Sequence, residues 1–219
     1  MKSKIQNLLY LGLFLFGTLS FAQTTPVPNP VAKLDKVIWV WLENVPFIDL
    51  SNYRYTKSLW LNYPSVRFTS YAPVSLITQA NTFAMISGSD LGILDNDLTR
   101  IFTPTVLDML ESKNIPWKAY AEDFPGSCYL GGGIGNYKRY RVPFLSVAQV
   151  QSDRYRCMKV VSFANLNDDI KNGSLPRFSV IIPNLLSSGA IGTPADADAT
   201  LKEILNPIVV NPDLMQSTT

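Results

Sequence analysis

The periodicity of apolar positions changes along the chain in a way that separates strands from helices. The run VIWVWL at residues 37–42 is apolar without alternation, the pattern of a strand covered on both faces in a parallel sheet. A second such run, FSVII at residues 178–182, lies within RFSVIIPN. Between them stand helical patterns: TKSLWLNY from Thr56, TQANTFAMISG from Thr78, and PTVLDMLESKN from Pro104, the last with an early Pro and Asn114 at its end. Short extended pieces, RFTSYA at Arg67 and PWKAYA at Pro116, alternate with these helices, and ADADATLKEILNPIV supplies a final helix. Strand and helix taking turns predicts an α/β fold, a three-layer α/β/α sandwich with a mostly parallel sheet.

Ligands of such sheets gather beyond the carboxyl ends of the strands. Glu43 and Asn44 leave the first strand there, and Pro183 and Asn184 leave the later one. The stretch from Cys128 to Cys157 contains GGGIGNYKRYRVPF and SDRYRC, rich in Gly, Tyr and Arg and poor in periodicity. It reads as an excursion from the sheet.

Lys2 and Lys4, the apolar run LLYLGLFLFGTLSFA, and small residues at Ser20 and Ala22 make residues 1–22 an expected secretory signal peptide. A retained signal anchor is the alternative. The Pro-containing stretch QTTPVPNP falls in an expected linker, residues 23–35, and residues 36–219 are expected to form one domain. The expected location is secreted or periplasmic, with no stable membrane insertion once the leader is removed. Cys128 and Cys157 are the only cysteines; in an exported protein they are most simply one disulfide, the other reading being two unconnected buried thiols.

The chain carries 19 basic and 17 acidic residues, and the leader holds two lysines and no acid. The remainder is balanced, which argues against a nucleic-acid partner. Histidine is absent, so Ser-His-Asp and Cys-His mechanisms and His-rich zinc sites are excluded.

Three groups could carry chemistry. Glu43 and Asn44 could converge on a hard divalent cation, or cap a helix or turn. Thr78, at the start of a helical pattern, could be an N-cap, or a hydroxyl presented where free backbone N–H groups welcome phosphate. The basic residues Lys138, Arg139, Arg141, Arg154, Arg156 and Lys159 could bind phosphate, or be solvated surface. The GGGIG run follows no apolar strand and precedes no clear helix, so it is not read as a nucleotide loop.

Taken in order, VIWVWLENVPF, NTFAMISGSD, IPWKAYAEDFPGSCY, the Tyr-Lys-Arg and Pro-Phe elements of YKRYRVPF, Arg-Cys at Cys157, and LPRFSVIIPN resemble a secreted phosphoesterase family. That family contains acid phosphatases and phosphatidylcholine-type phospholipases C, and is a branch of the alkaline-phosphatase-like superfamily. The resemblance covers almost everything after the leader. It implies that Glu43 and Asn44 bind a divalent metal ion, that Thr78 is the nucleophile, and that Asn81 helps hold the phosphoryl oxygens. A phosphothreonine intermediate would then be released by metal-activated water. The implied substrate is a small phosphate ester or a phospholipid headgroup.

The chain departs from the family pattern at Leu76, where a histidine is usual, at Arg141 and Val142, where His-Asn is usual, and at NLLSSGAIG after Pro183. It also stops at LMQSTT, where the family continues into a strand ending in paired acids, so the domain is expected to be incomplete at its C-terminus. Two functional expectations follow: a metal-dependent phosphoric ester hydrolase of acid phosphatase type, or a catalytically impaired relative retaining at most phosphate or metal binding.

Overall fold

Four parallel strands build the sheet of this computed structural model, in the order β1 (Val37–Val40), β6 (Phe178–Ile182), β2 (Trp117–Ala121), β5 (Val160–Ser162). The structure describes residues 35–43, 53–66, 68 and 70–217. The expected signal peptide, nearly all of the expected linker, Asn44 and Arg67 lie outside the described residues. The compact unit containing the sheet runs from Leu34 to Thr219. Phe178 is in register with both Val37 of β1 and Trp117 of β2.

Alternation along the strands sorts side chains into two cores, one on each face of the sheet. Trp39, Trp41, Trp117, Ala119, Ala121, Val160, Val180 and Ile182 pack with α2 (Thr78–Ser87) and α3 (Val106–Ser112) through Phe83, Ile86 and Leu107. The intervening residues Ile38, Val40, Tyr120, Val161 and Ile181 pack with α6 (Phe163–Lys171), α7 (Pro194–Val209) and α8 (Pro212–Ser217). This two-sided burial is the α/β/α sandwich, and it is why the strand sequences show no hydrophobic alternation. No helix among the described residues is long and apolar enough to cross a membrane.

The RFTSYA stretch forms no strand among its described residues; Phe68 and Tyr71 are exposed. The extra strand is instead the short VVS of β5, too brief to show a period.

The segment between the cysteines is a core element rather than an excursion. It forms the hairpin β3 (Gly133–Ile134) and β4 (Tyr137–Lys138), two 3-10 turns at Arg139–Arg141 and Pro143–Ser146, and the short helices α4 (Ala148–Ser152) and α5 (Arg154–Cys157). Residues 141–148 are all buried, and Phe144 stacks on Trp41 with ring centroids 5.9 Å apart. Cys128 and Cys157 are bonded, their Cα atoms 5.5 Å apart. Sequence missed this burial because 3-10 turns and one-residue kinks leave no regular period.

The first helix, α1 (Arg54–Asn62), starts without a cap from its own N-cap residue, Tyr53. The cap comes from α7: Asp198 accepts the N–H groups of Tyr55 at 2.7 Å and Thr56 at 2.9 Å and the Thr56 hydroxyl at 2.8 Å. A carboxylate at a helix N-terminus satisfies orphan donors and complements the helix dipole. Asp169 anchors α6 to β2 in a similar way, accepting from Lys118 and Tyr120 at 2.6 Å each and from Ser174 at 2.8 Å. Burial opposes ionisation of Asp169, but Lys118, Tyr120 and Ser174 outweigh it and hold the carboxyl below its ordinary value.

Two outcomes follow. Asp198→Ala lowers unfolding free energy in urea by about 2 kcal/mol, because a buried cap is lost together with its partners' satisfaction. The contribution of Asp169 is complete above the ordinary carboxylate pKa of about 4 and disappears as pH falls through its lowered native value. Asp169→Asn therefore destabilises at neutral pH, and the difference from wild type shrinks on acidification; urea midpoints measured across that range check it.

Candidate functional site

The exits of β1 and β6, the start of α2, the Arg139–Arg141 turn and one face of α7 enclose a cleft of about 1120 Å³. Glu43, Thr78, Asn81, Arg141 and Asp198 are among its polar lining residues, and Trp39, Trp41, Trp60, Phe68 and Tyr71 among its aromatic ones. It lies where ligands of a parallel sheet are expected.

Glu43 is the hub. Its N–H donates to the Ser188 carbonyl at 2.9 Å, which ties the β1 exit to the loop after β6. One carboxylate oxygen accepts from Arg141 Nε at 2.7 Å, and the other accepts the Thr78 hydroxyl at 3.2 Å. The Arg141 side chain is 2% exposed, against 21% for Glu43. Arg141 Nη1 also donates to the Pro183 carbonyl at 2.8 Å, whereas its Nη2 is buried with no hydrogen-bond partner among the described residues. The guanidinium thus spans the carboxyl ends of β1 and β6. Burial, then the nearby Glu43 carboxylate, push the Tyr140 phenol up, with Arg141 opposing.

Thr78 is the first helical residue of α2, and the extended N-cap is Ile77, whose side chain makes no capping bond. The N-cap role considered for Thr78 is therefore not the one it fills; its hydroxyl points away from its own helix start, to Glu43. The loop before α2 is fixed by other means. Ile77 N–H donates to Ser75 Oγ at 3.0 Å, and Gln79 N–H to Asn96 Oδ1 at 3.0 Å. Asn81 accepts Ser75 N–H at 3.1 Å through Oδ1 and donates through Nδ2 to the carbonyls of Ser75 at 2.6 Å and Ile77 at 3.2 Å. Its amide holds the loop that presents Thr78.

Glu43 and Thr78 thus meet, Asn81 lines the same cleft, and Asn44 lies outside the described residues. The described residues do not fit a hard-cation shell. No group of three or more His, Cys, Asp or Glu side chains converges among them, and both oxygens of Glu43 are engaged, one by a permanent cation. The basic residues do not form one patch. Arg156 pairs with Asp108 and Glu111, Lys159 pairs with Glu111, and Arg139 donates to the Leu145 carbonyl.

Two features escaped sequence reading. One is the inward turn of Arg141. The other is a network beyond β2 and β6: Asn184 donates its N–H to Glu122 and its amide to Asp123, and Ser187 donates to Glu122. The signal was present in AED and PN, polar residues immediately following buried strands.

Residues 67–219 match a family model described as the Phosphoesterase family. The chain is 27% identical over 207 residues to a phosphate-repressible acid phosphatase of Penicillium chrysogenum, covering 87% of this chain and 49% of that protein. It is 27% identical over 171 residues to an acid phosphatase of Aspergillus fumigatus, 72% of this chain and 38% of the relative. A probable acid phosphatase of Kluyveromyces lactis is also 27% identical, over 216 residues, 91% of this chain and 50% of the relative. The chain therefore spans half or less of the length of these relatives.

Asn81→Ala removes the three bonds that close the 75–77 loop. It should cost about 1 to 3 kcal/mol of stability and speed proteolysis within that loop, read by urea denaturation and limited digestion.

Proposed function

Since the chain belongs to the phosphoesterase family, we propose that its cleft binds a phosphoric ester and that the Thr78 hydroxyl attacks the phosphorus. The hydrogen bond from Thr78 to Glu43 is the observation that carries this reading: a nucleophile needs a base within reach of its proton. Thr78 Oγ1 forms the new bond to phosphorus as its proton passes to Glu43. The ester P–O bond breaks with its electron pair on the departing oxygen, which is protonated by water. A water molecule then attacks the phosphothreonine, the phosphorus–Thr78 bond breaks, and Glu43 returns its proton to Thr78 as phosphate leaves. Without a histidine in the chain, Glu43 is the base that the geometry supports.

A divalent metal on Glu43 and Asn44 remains the expectation raised by resemblance, but no step is routed through it, because the described residues do not fit one. Asn81 acts through the loop it closes; any contact with phosphoryl oxygens requires its amide to leave Ser75. The substrate is proposed to be a small phosphate ester or a phospholipid headgroup. Residues 1–22 and the disulfide support export to an oxidising compartment.

A second reading is phosphate binding without turnover. It is favoured by the ion pair that pins Glu43, which makes the carboxylate a weaker base. Assay with an aryl phosphate at mildly acidic pH separates the two. Turnover is expected for wild type, retained in part by Thr78→Ser, and reduced on the order of a thousandfold or more by Thr78→Ala. Unchanged turnover in Thr78→Ala rejects the mechanism, and no turnover by a folded wild type favours the second reading.

A further inference from the structure

We propose that Arg141 is the resident cation of this cleft and that the site takes up a phosphate group without a divalent metal. The inference rests on the phosphoester reading and names how that site obtains its positive charge. Phosphate carries charge that an aromatic-lined cleft must neutralise. Arg141 meets the requirement: its charge is permanent, it lines the cleft, and it is 2% exposed.

The guanidinium is incompletely satisfied. Nε is held by Glu43 and Nη1 by the Pro183 carbonyl, which fixes the plane of the group, while Nη2 has no partner among the described residues. A buried N–H donor of a charged group left unpaired is costly, and an arriving oxyanion satisfies it. Thr78, the first residue of the ten-residue helix α2, lines the same cleft, and the N-cap side chain makes no capping bond, although the Gln79 N–H of that first turn is already taken by Asn96. One phosphate oxygen meets Arg141 Nη2, which sets the phosphorus beside the Thr78 hydroxyl; that hydroxyl and Arg141 Nε are held by opposite oxygens of Glu43.

The arrangement reverses the role of Glu43. A metal site would need its carboxylate as a ligand, so that removing its charge would weaken phosphate binding. Here the carboxylate competes with phosphate for Arg141 and repels it, so that removing the charge strengthens binding. The sign of that one effect separates the two arrangements.

The test is calorimetric titration of the chain with inorganic phosphate, after exhaustive EDTA treatment and again with added Mg²⁺, Mn²⁺, Ca²⁺ or Zn²⁺. Wild type is expected to bind phosphate in EDTA, with affinity changed less than about twofold by any of the four metals. Glu43→Gln, which keeps a hydrogen-bonding partner for Arg141, is expected to bind phosphate about tenfold more tightly, one buried charge pair being removed from the competition. Arg141→Met is expected to lose binding by about tenfold or more. Phosphate binding that appears only with metal, or that weakens in Glu43→Gln, overturns the proposal even if hydrolysis by Thr78 is established. Absence of phosphate binding under every condition overturns both readings. If Arg141→Met fails to fold, the wild-type titrations and Glu43→Gln decide. Metal-free phosphate binding together with unchanged turnover in Thr78→Ala would sustain this inference while rejecting the mechanism.

Discussion

A guanidinium removed from water must be paired, and that requirement organises the carboxyl edge of this sheet. Arg141 reaches Glu43 at the end of β1 and the Pro183 carbonyl at the end of β6. Breaking such a pair from one side costs about 3 to 5 kcal/mol, because the remaining charge stays buried. The exits of two neighbouring strands are thereby held together at the cleft. The Thr78 hydroxyl donates to the same carboxylate, so a hydroxyl and a guanidinium meet on opposite oxygens of Glu43.

The rest of the fold delivers Arg141 to that position. The disulfide closes a loop with a sequence separation of 29 residues, a constraint of about 3 to 4 kcal/mol in the chain-entropy picture. Within that loop, residues 141–148 are buried, with Phe144 against Trp41 and Trp117. The 3-10 turn at Arg139–Arg141 also packs beside α2, where the Thr82 hydroxyl lies 3.4 Å from the Tyr140 carbonyl. The turn and the helix that carries Thr78 are therefore in direct contact.

Much of the architecture was legible from residues alone. VIWVWL and FSVII read as strands covered on both faces; they are neighbours in the sheet, FSVII almost wholly buried and VIWV of β1 half-buried at the edge formed by the described strands. The helices starting at Thr78 and near Pro104 and Ala195 formed where their periodicity put them. RFTSYA misled because an apolar-aromatic alternation signals a strand only if another strand is there to pair with it. β5 was invisible because three residues carry no period. The glycine- and arginine-rich segment was misjudged for a different reason: its burial comes from long-range packing, which local composition does not encode.

At the site, Glu43 could be placed at a strand exit and Thr78 at a helix start, because both follow from chain order and local propensity. Their contact could be anticipated only through resemblance. The partner of Glu43 could not be read at all, for Arg141 lies 98 residues away and its formula is compatible with a solvated surface. Whether a charged side chain turns inward depends on the summed desolvation and pairing energies of everything around it. Local sequence dictates strands, helices and their ends, since those are set by neighbours a few residues apart. The choice of ion pair belongs to the folded state, where the low-dielectric surroundings that penalise an unpaired charge first exist.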